Sequence, residues 1–226
     1  MRKLLLGLMV LALVTGAAIG APTVTVTRTP GTYPSLPPKS GEFTLTPNDE
    51  LEAILGVSGP FQSFCLETSE SITIDNTYNV EVTTEAILGD GRWPGEPAGP
   101  RGGDVISPAT AYLYTQFRAG TLQGYDYTPG PGRENSARAL QTAIWYLEYE
   151  SGYTKWNALS REAQAFVTLG QSSGWTGIGN VRVLNLYDES KQCYQDMLAI
   201  VPAPGALLRA GIGTALVGWA RRRRAF

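Results

Sequence analysis

The chain has 226 residues, no histidine and two cysteines, with 43% hydrophobic and 17% charged residues. This is enough chain for a full core, while the missing histidine excludes Ser-His-Asp and Cys-His catalysis, imidazole zinc sites and histidine pH switches. Seven of the 18 basic residues lie near the termini, and the other 11 meet all 20 acidic ones, a net of −9 that repels phosphate backbones and speaks against nucleic acid as a partner.

Two cysteines cannot build a four-thiolate metal site, so neither a metal nor a cofactor is expected. Carboxylate chemistry, cysteine chemistry or no chemistry remains.

Residues 1–21 begin with Arg2 and Lys3, continue as an apolar run over 4–14, and end in Gly16, Ala17, Ala18, Gly20 and Ala21. That order is the pattern of a secretory signal peptide, cut between Ala18 and Ala21. A retained anchor is the alternative, disfavoured by the short apolar run. Residues 22–41 are rich in Thr and Pro (Pro22, Pro30, Pro34, Pro37, Pro38) and read as an extended leader.

From Glu42 onward the pattern changes. Short alternating or apolar runs over 43–46, 61–67, 71–74 and 78–87 predict strands, with Asp75-Asn76 as a hairpin turn. Residues 89–104 hold six glycines and three prolines and read as a long surface loop. Ser107-Pro108 opens a helix to about Phe117. Asn135 or Ser136 caps a second helix, with Ala137, Leu140, Ile144 and Leu147 along one side. Ser160 starts a third that runs to Gly170. Strand patterns return over 181–187 and 194–201. The domain 42–200 is therefore expected to be α+β, with an antiparallel β-sheet or barrel core and an inserted group of about three helices.

The C-terminal segment 201–226 has three parts. Val201-Pro202-Ala203-Pro204-Gly205 is a hinge hostile to helix. Residues 206–220 are mostly apolar and rise only about 22 Å as a helix, against a hydrocarbon core of about 30 Å. Arg221, Arg222, Arg223 and Arg224 then stay cytoplasmic by the positive-inside rule. Together these features resemble the PEP-CTERM sorting signal of Gram-negative bacteria, read by exosortase-type proteases. The resemblance covers about the last 26 residues; this copy has Pro-Ala-Pro for Pro-Glu-Pro, and Arg209 interrupts the apolar run. It implies transient passage of 206–220 through the inner membrane and delivery to the cell envelope or extracellular surface. A plain tail anchor is the alternative.

Two segments of the middle carry chemistry. Cys65 lies in Phe61-Gln62-Ser63-Phe64-Cys65-Leu66-Glu67, and Cys193 follows 128 residues later. In an exported protein the default bond joins the two, and closing so long a loop stabilises a fold by roughly 5 kcal/mol. The other reading reserves Cys65 for a different bond. Gln141 sits at the edge of the second helix's apolar stripe, beside Leu140, Ile144 and Trp145. A buried amide is costly unless bonded, and the ordinary reading is a marginal Gln bonded to a strand edge. Glu67, two residues past Cys65 and on the same strand face, is a candidate proton acceptor together with Glu70; solvated acids at a strand end are the alternative. Glu148 and Glu150 read as the helix's polar exit. Tyr112, Tyr114, Tyr125 and Tyr127 read as packing. Trp93, in the Gly/Pro loop, reads either as a stacking contact for sugar or protein or as a loop tether.

Phe64-Cys65-Leu66 and Gln141-Thr142-Ala143-Ile144-Trp145, in that order and 76 residues apart, resemble the thioester domains of bacterial surface adhesins. The resemblance implies that Cys65 displaces ammonia from Gln141 to form an internal thioester. Phe64, Ile144, Trp145 and Tyr146 would shield that bond from water. A surface protein or polymer bearing an amine or hydroxyl would then displace Cys65 and remain bound to Gln141. This is single-use acyl transfer and not enzymatic turnover. The competing expectation is a non-covalent structural or extracellular-matrix module stapled by Cys65–Cys193. A carboxylate hydrolase is the third class, but no spacing nominates an acid pair.

Overall fold

The computed structural model describes residues 20–28, 41–87, 91–97 and 99–202. Most of the expected signal peptide, and the tail with Pro204, the apolar run and the four arginines, lie outside the described residues. Among those described, no helix is long and apolar enough to cross a membrane.

Six strands form one antiparallel sheet. In chain order they are β1 (Thr23–Thr27), β2 (Phe43–Pro47), β3 (Phe61–Ser63), β4 (Asn76–Thr83), and then, after the short pair β5 (Glu85–Ala86) and β6 (Asp104–Val105), β7 (Val181–Tyr187) and β8 (Met197–Ile200). The spatial order is β3-β2-β1-β4-β7-β8. The chain beyond β3 then returns to β8. Cys65 bridges Met197, flanked by Leu66 N–H to Asp196 O at 2.9 Å and Leu198 N–H to Phe64 O at 3.2 Å. The sheet is thereby nearly closed into a barrel, as the α+β reading allowed.

Strand alternation divides the core into two clusters. Phe64, Leu66, Val181, Val183 and Leu198 face the helices. Cys65, Leu184, Leu186, Met197 and Ala199 face the opposite way, into the barrel with Val24, Phe43 and Tyr78. Three helices follow β6 and cover the outer face: α2 (Pro108–Arg118), α3 (Pro131–Leu147) and α4 (Arg161–Gln171). Ser107 and Ser160 cap α2 and α4 by accepting from Thr110 N–H and Ala163 N–H. The earlier α1 (Asp49–Leu55) was not expected; Asn48 caps it, and Gly56 ends it at φ 61°.

Several expectations need correction. The leader read over 22–41 supplies β1, which lies between β2 and β4; its Thr-Val alternation buries Val24 and Val26, so the domain starts before residue 42. Prolines on both sides had disguised a strand that is only five residues long. Residues 71–74 are not a strand. The run 61–67 pairs as β3 and then through Cys65 alone. Helix α3 starts at Pro131, not at Asn135 or Ser136, because a proline with fixed φ suits the first helical turn. Ser136 lies inside that helix and accepts from Asp126 N–H instead.

Candidate functional site

The barrel seam leaves two backbone groups in need of partners. In the Cys65–Met197 bridge the two inter-strand hydrogen bonds belong to the flanking residues, so the N–H and C=O of Cys65 turn away from β8. The register of β2 with β3 ends at Phe43–Ser63, so β2 does not reach them. Buried and unpaired, each group would cost the fold on the order of 1–3 kcal/mol. Gln141 fills the gap. The Cys65 N–H donates to Gln141 Oε1 at 2.9 Å, and Gln141 Nε2 donates to the Cys65 carbonyl at 2.8 Å. The primary amide thus takes the place of a peptide unit from the missing strand. Gln141 is fully buried and Cys65 nearly so, and the bonded strand edge of the ordinary reading proves to be Cys65 itself.

This pairing holds the glutamine carboxamide against the cysteine backbone in a dry seam. Burial, followed by the charge of Glu70, pushes the Cys65 thiol well above its ordinary range, so it rests protonated. Both cysteines are free. The expected Cys65–Cys193 disulfide is not formed: Cys193 sits half-buried in its own bridge to Tyr187, while Cys65 is held against Met197.

The four expected shielding residues divide. Trp145 shares the barrel-side cluster with Cys65, and stacks at a tilt on Tyr153, 4.7 Å between centroids. Its indole N–H is buried without a hydrogen-bond partner. Phe64 and Ile144 are fully buried on the helix side of the seam, Phe64 edge-on to Phe117. Tyr146 is only partly buried, at the margin of the helix-side cluster. Five residues beyond Gln141, it lies about 140° around the helix and packs edge-on against the exposed Trp156.

An acidic cluster borders the seam. Glu67 is buried, and its carboxyl is driven far above the usual range by burial, then by the charge of Glu150 and a hydrogen bond to it. Burial and the neighbouring Glu150 thus both disfavour the charged form of Glu67, the form the expected proton acceptor would need. Glu150 also accepts from Thr68 N–H at 2.8 Å and from its hydroxyl at 3.1 Å. Asp196 N–H donates to Glu70 Oε2 at 3.0 Å, and Asp196 Oδ2 accepts from Ile87 N–H at 2.8 Å. Burial raises Glu70 to about 8, with the charge of Asp196 adding to it, and raises Asp196 to about 7. Glu70 is the acid whose charge acts on Cys65 and whose proton exchanges near neutrality. Sequence proximity had nominated it beside Glu67, and only the fold separates them.

Glu148 and Glu150 are not the solvated exit of α3. Glu148 accepts from the Ser107 N–H and hydroxyl, and burial lifts it to about 7. Tyr114 and Tyr125 are core residues as expected, tied to the carbonyls of Gln62 and Leu198 and to Glu42. Trp93 is tethered through Nε1 to the Val105 carbonyl at 2.8 Å. Pro202, the only described member of the expected sorting residues, is so close to Gly56 that an added Cβ there would lie 2.6 Å from its ring. Among the described residues no cluster of acids and cysteines is arranged to hold a metal ion.

No family model matches the chain, and no curated protein matches it. Among solved structures it is similar to the N-terminal thioester domain of a surface protein from Clostridium perfringens, with a TM-score of 0.47 and 13% identity over 78% of this chain and 97% of that one. It is also similar to a cysteine-to-alanine mutant of that domain, with a TM-score of 0.43 and 12% identity over 79% and 97%.

Proposed function

We propose that the chain is an exported surface-adhesion module that stores an internal Cys65–Gln141 thioester and uses it once to acylate a nucleophile on a target surface. The reciprocal hydrogen bonds between the Gln141 carboxamide and the Cys65 backbone carry this reading. They keep the two residues side by side before any bond forms, and an unreactive amide needs such positioning to be attacked.

In the forming step Cys65 Sγ bonds to Gln141 Cδ and the Cδ–Nε2 bond breaks. The thiol proton leaves with that nitrogen as ammonia. The Cys65 N–H, already 2.9 Å from Oε1, is a donor for the oxygen that becomes the oxyanion. The unpartnered indole N–H of Trp145, one turn along α3, is assigned as a second donor. Glu70 relays the thiol proton. In the capture step an amine or hydroxyl of a surface protein or polymer attacks Cδ, the Cδ–Sγ bond breaks, and Cys65 recovers its proton. Each molecule reacts once, so the chain is no enzyme.

The tail sequence supports the rest of the reading: 201–226 acts as a PEP-CTERM-like signal whose segment 206–220 passes through the inner membrane until an exosortase-type protease delivers the domain to the envelope. Deleting 203–226 is expected to move the protein from envelope to soluble fractions; unchanged fractionation would refute that assignment.

The deciding measurement for the thioester is an intact mass. Non-reduced protein is expected to be lighter than its mature sequence by one ammonia and to take up methylamine at Gln141, and Cys65→Ala should lose both properties. Unmodified mass together with inertness to methylamine would overturn the proposal.

A further inference from the structure

Three aromatic side chains outside the thioester seam converge on one cleft. Trp93 from the loop before β6, Tyr149 just beyond α3 and Trp175 beyond α4 line a space of about 340 Å³, with Ser107, Pro108 and Gln171 among the other walls. That is a small-ligand volume. Tyr149 and Trp175 are 42% and 36% exposed, so two of the most exposed large side chains of the described residues meet here.

The rings are held in place. The Trp93 N–H is committed to the Val105 carbonyl, which leaves its face as the part available to a ligand. Tyr112 supports Trp175 edge-on, with centroids 5.7 Å apart. Tyr149 stands at φ 63°, immediately after the residue that caps α3. Glycine ordinarily occupies that left-handed position, and a bulky side chain there is strained. A tyrosine kept where glycine folds more easily points to a use for its ring.

Among the described residues the lining carries no charged side chain. It offers no cation to a phosphate, sulfate or uronate, and no carboxylate to a cationic group. It offers apolar ring faces beside neutral polar groups, among them the Gln171 amide. A pyranose has matching chemistry: a face of C–H groups that packs on an aromatic ring, bordered by hydroxyls that need uncharged hydrogen-bond partners. We infer that the cleft framed by Trp93, Tyr149 and Trp175 is a binding site for a neutral glycan. Such a site would hold a polysaccharide-bearing surface by contacts separate from the Cys65–Gln141 bond.

The test is affinity electrophoresis of the full-length protein in native gels cast with galactomannan, arabinoxylan, mixed-linkage β-glucan or dextran. At least one polymer is expected to retard the protein. Trp175→Ala and Tyr149→Gly should each weaken the retardation at least tenfold, the second while relieving backbone strain. Thermal melts of both variants at or near the parent value separate lost binding from lost folding. Cys65→Ala should bind as the parent does, so a failure of the thioester reading leaves this result untouched. Absence of retardation by all four polymers would overturn the inference. So would retardation indifferent to both ring substitutions, or binding of decaproline or tetramethylammonium by a protein that ignores the sugars.

Discussion

Helix α3 and the residue pair that follows it bury polar groups of two kinds. At Gln141 a neutral amide is matched donor to acceptor and acceptor to donor with the Cys65 backbone. At Glu148 and Glu150, seven and nine residues further on, acids are buried among other acids and hydroxyls. The amide holds its geometry at any pH. Burial disfavours charge on the acids, so their stability depends on pH. One helix and the chain just beyond it thus place a neutral, fully paired amide next to a pH-dependent acidic seam.

The largest effect should come from breaking the neutral half. Gln141→Ala removes both bonds and strands the Cys65 N–H and C=O in a dry site, at a cost of about 4 kcal/mol, and leaves no acyl group. Cys65→Ala would abolish the proposed thioester as completely, yet keeps the backbone atoms that Gln141 binds. Chemical denaturation of the two variants side by side should show the first strongly destabilised and the second much less. Equal losses would mean that the amide pairing does not hold the seam.

The acidic half is tested by pH. Glu70, Asp196 and Glu148 have folded values of about 8, 7 and 7, all above those of unfolded carboxyls. The native state therefore binds more protons than the unfolded chain between about pH 4.5 and 8, and stability falls as pH rises through that window. The contribution is fully present below the unfolded values and lost above the folded ones. Asp196 alone accounts for roughly 3 kcal/mol between pH 5 and 8.5. Melting temperatures across that range should decline, and Asp196→Asn should flatten the decline. Stability rising toward pH 8.5 would contradict the arrangement.

The two halves also differed in how far the sequence exposed them. Cys65 and Gln141 were legible because each lies in a short segment whose neighbours mark it, and α2 and α4 because a serine announces each start. The acidic seam was hidden because its bonds join residues far apart in the chain, such as Thr68 with Glu150 and Glu70 with Asp196. Only closure of the barrel brings them together, so Glu148 and Glu150 looked like the polar end of a helix. β1 was hidden for a local reason, since five residues between prolines carry too little periodicity to outweigh them. Tyr146 stands further round the helix than adjacency suggests: sequence distance from Gln141 says little until it is converted into an angle around the helix.

Trp145 gives a smaller effect on the same seam. Trp145→Phe removes the unpartnered N–H and keeps most of the ring surface, so its stability should change by less than about 1 kcal/mol. If the indole donates to the forming oxyanion, ammonia loss slows by about tenfold or more, read as intact mass against time after refolding. An unchanged rate would leave the Cys65 N–H as the donor that suffices.

The smallest expected effect belongs to Tyr146. Its ring packs on Trp156 at the outer side of α3, so Tyr146→Ala should cost about 1 kcal/mol or less. Hydrolysis of the proposed thioester should then proceed at the parent rate, because the buried walls of the seam are left in place. Phe64→Ala and Ile144→Ala, which open the buried side, should cost about 2–5 kcal/mol and shorten the thioester's lifetime in buffer. The contrast matters because all four residues lie within five positions of Cys65 or Gln141, and only their direction distinguishes them. Hydrolysis accelerated as much by Tyr146→Ala as by Ile144→Ala would mean that water reaches the bond around the outside of the helix, and the seam between α3 and the barrel would no longer count as its barrier.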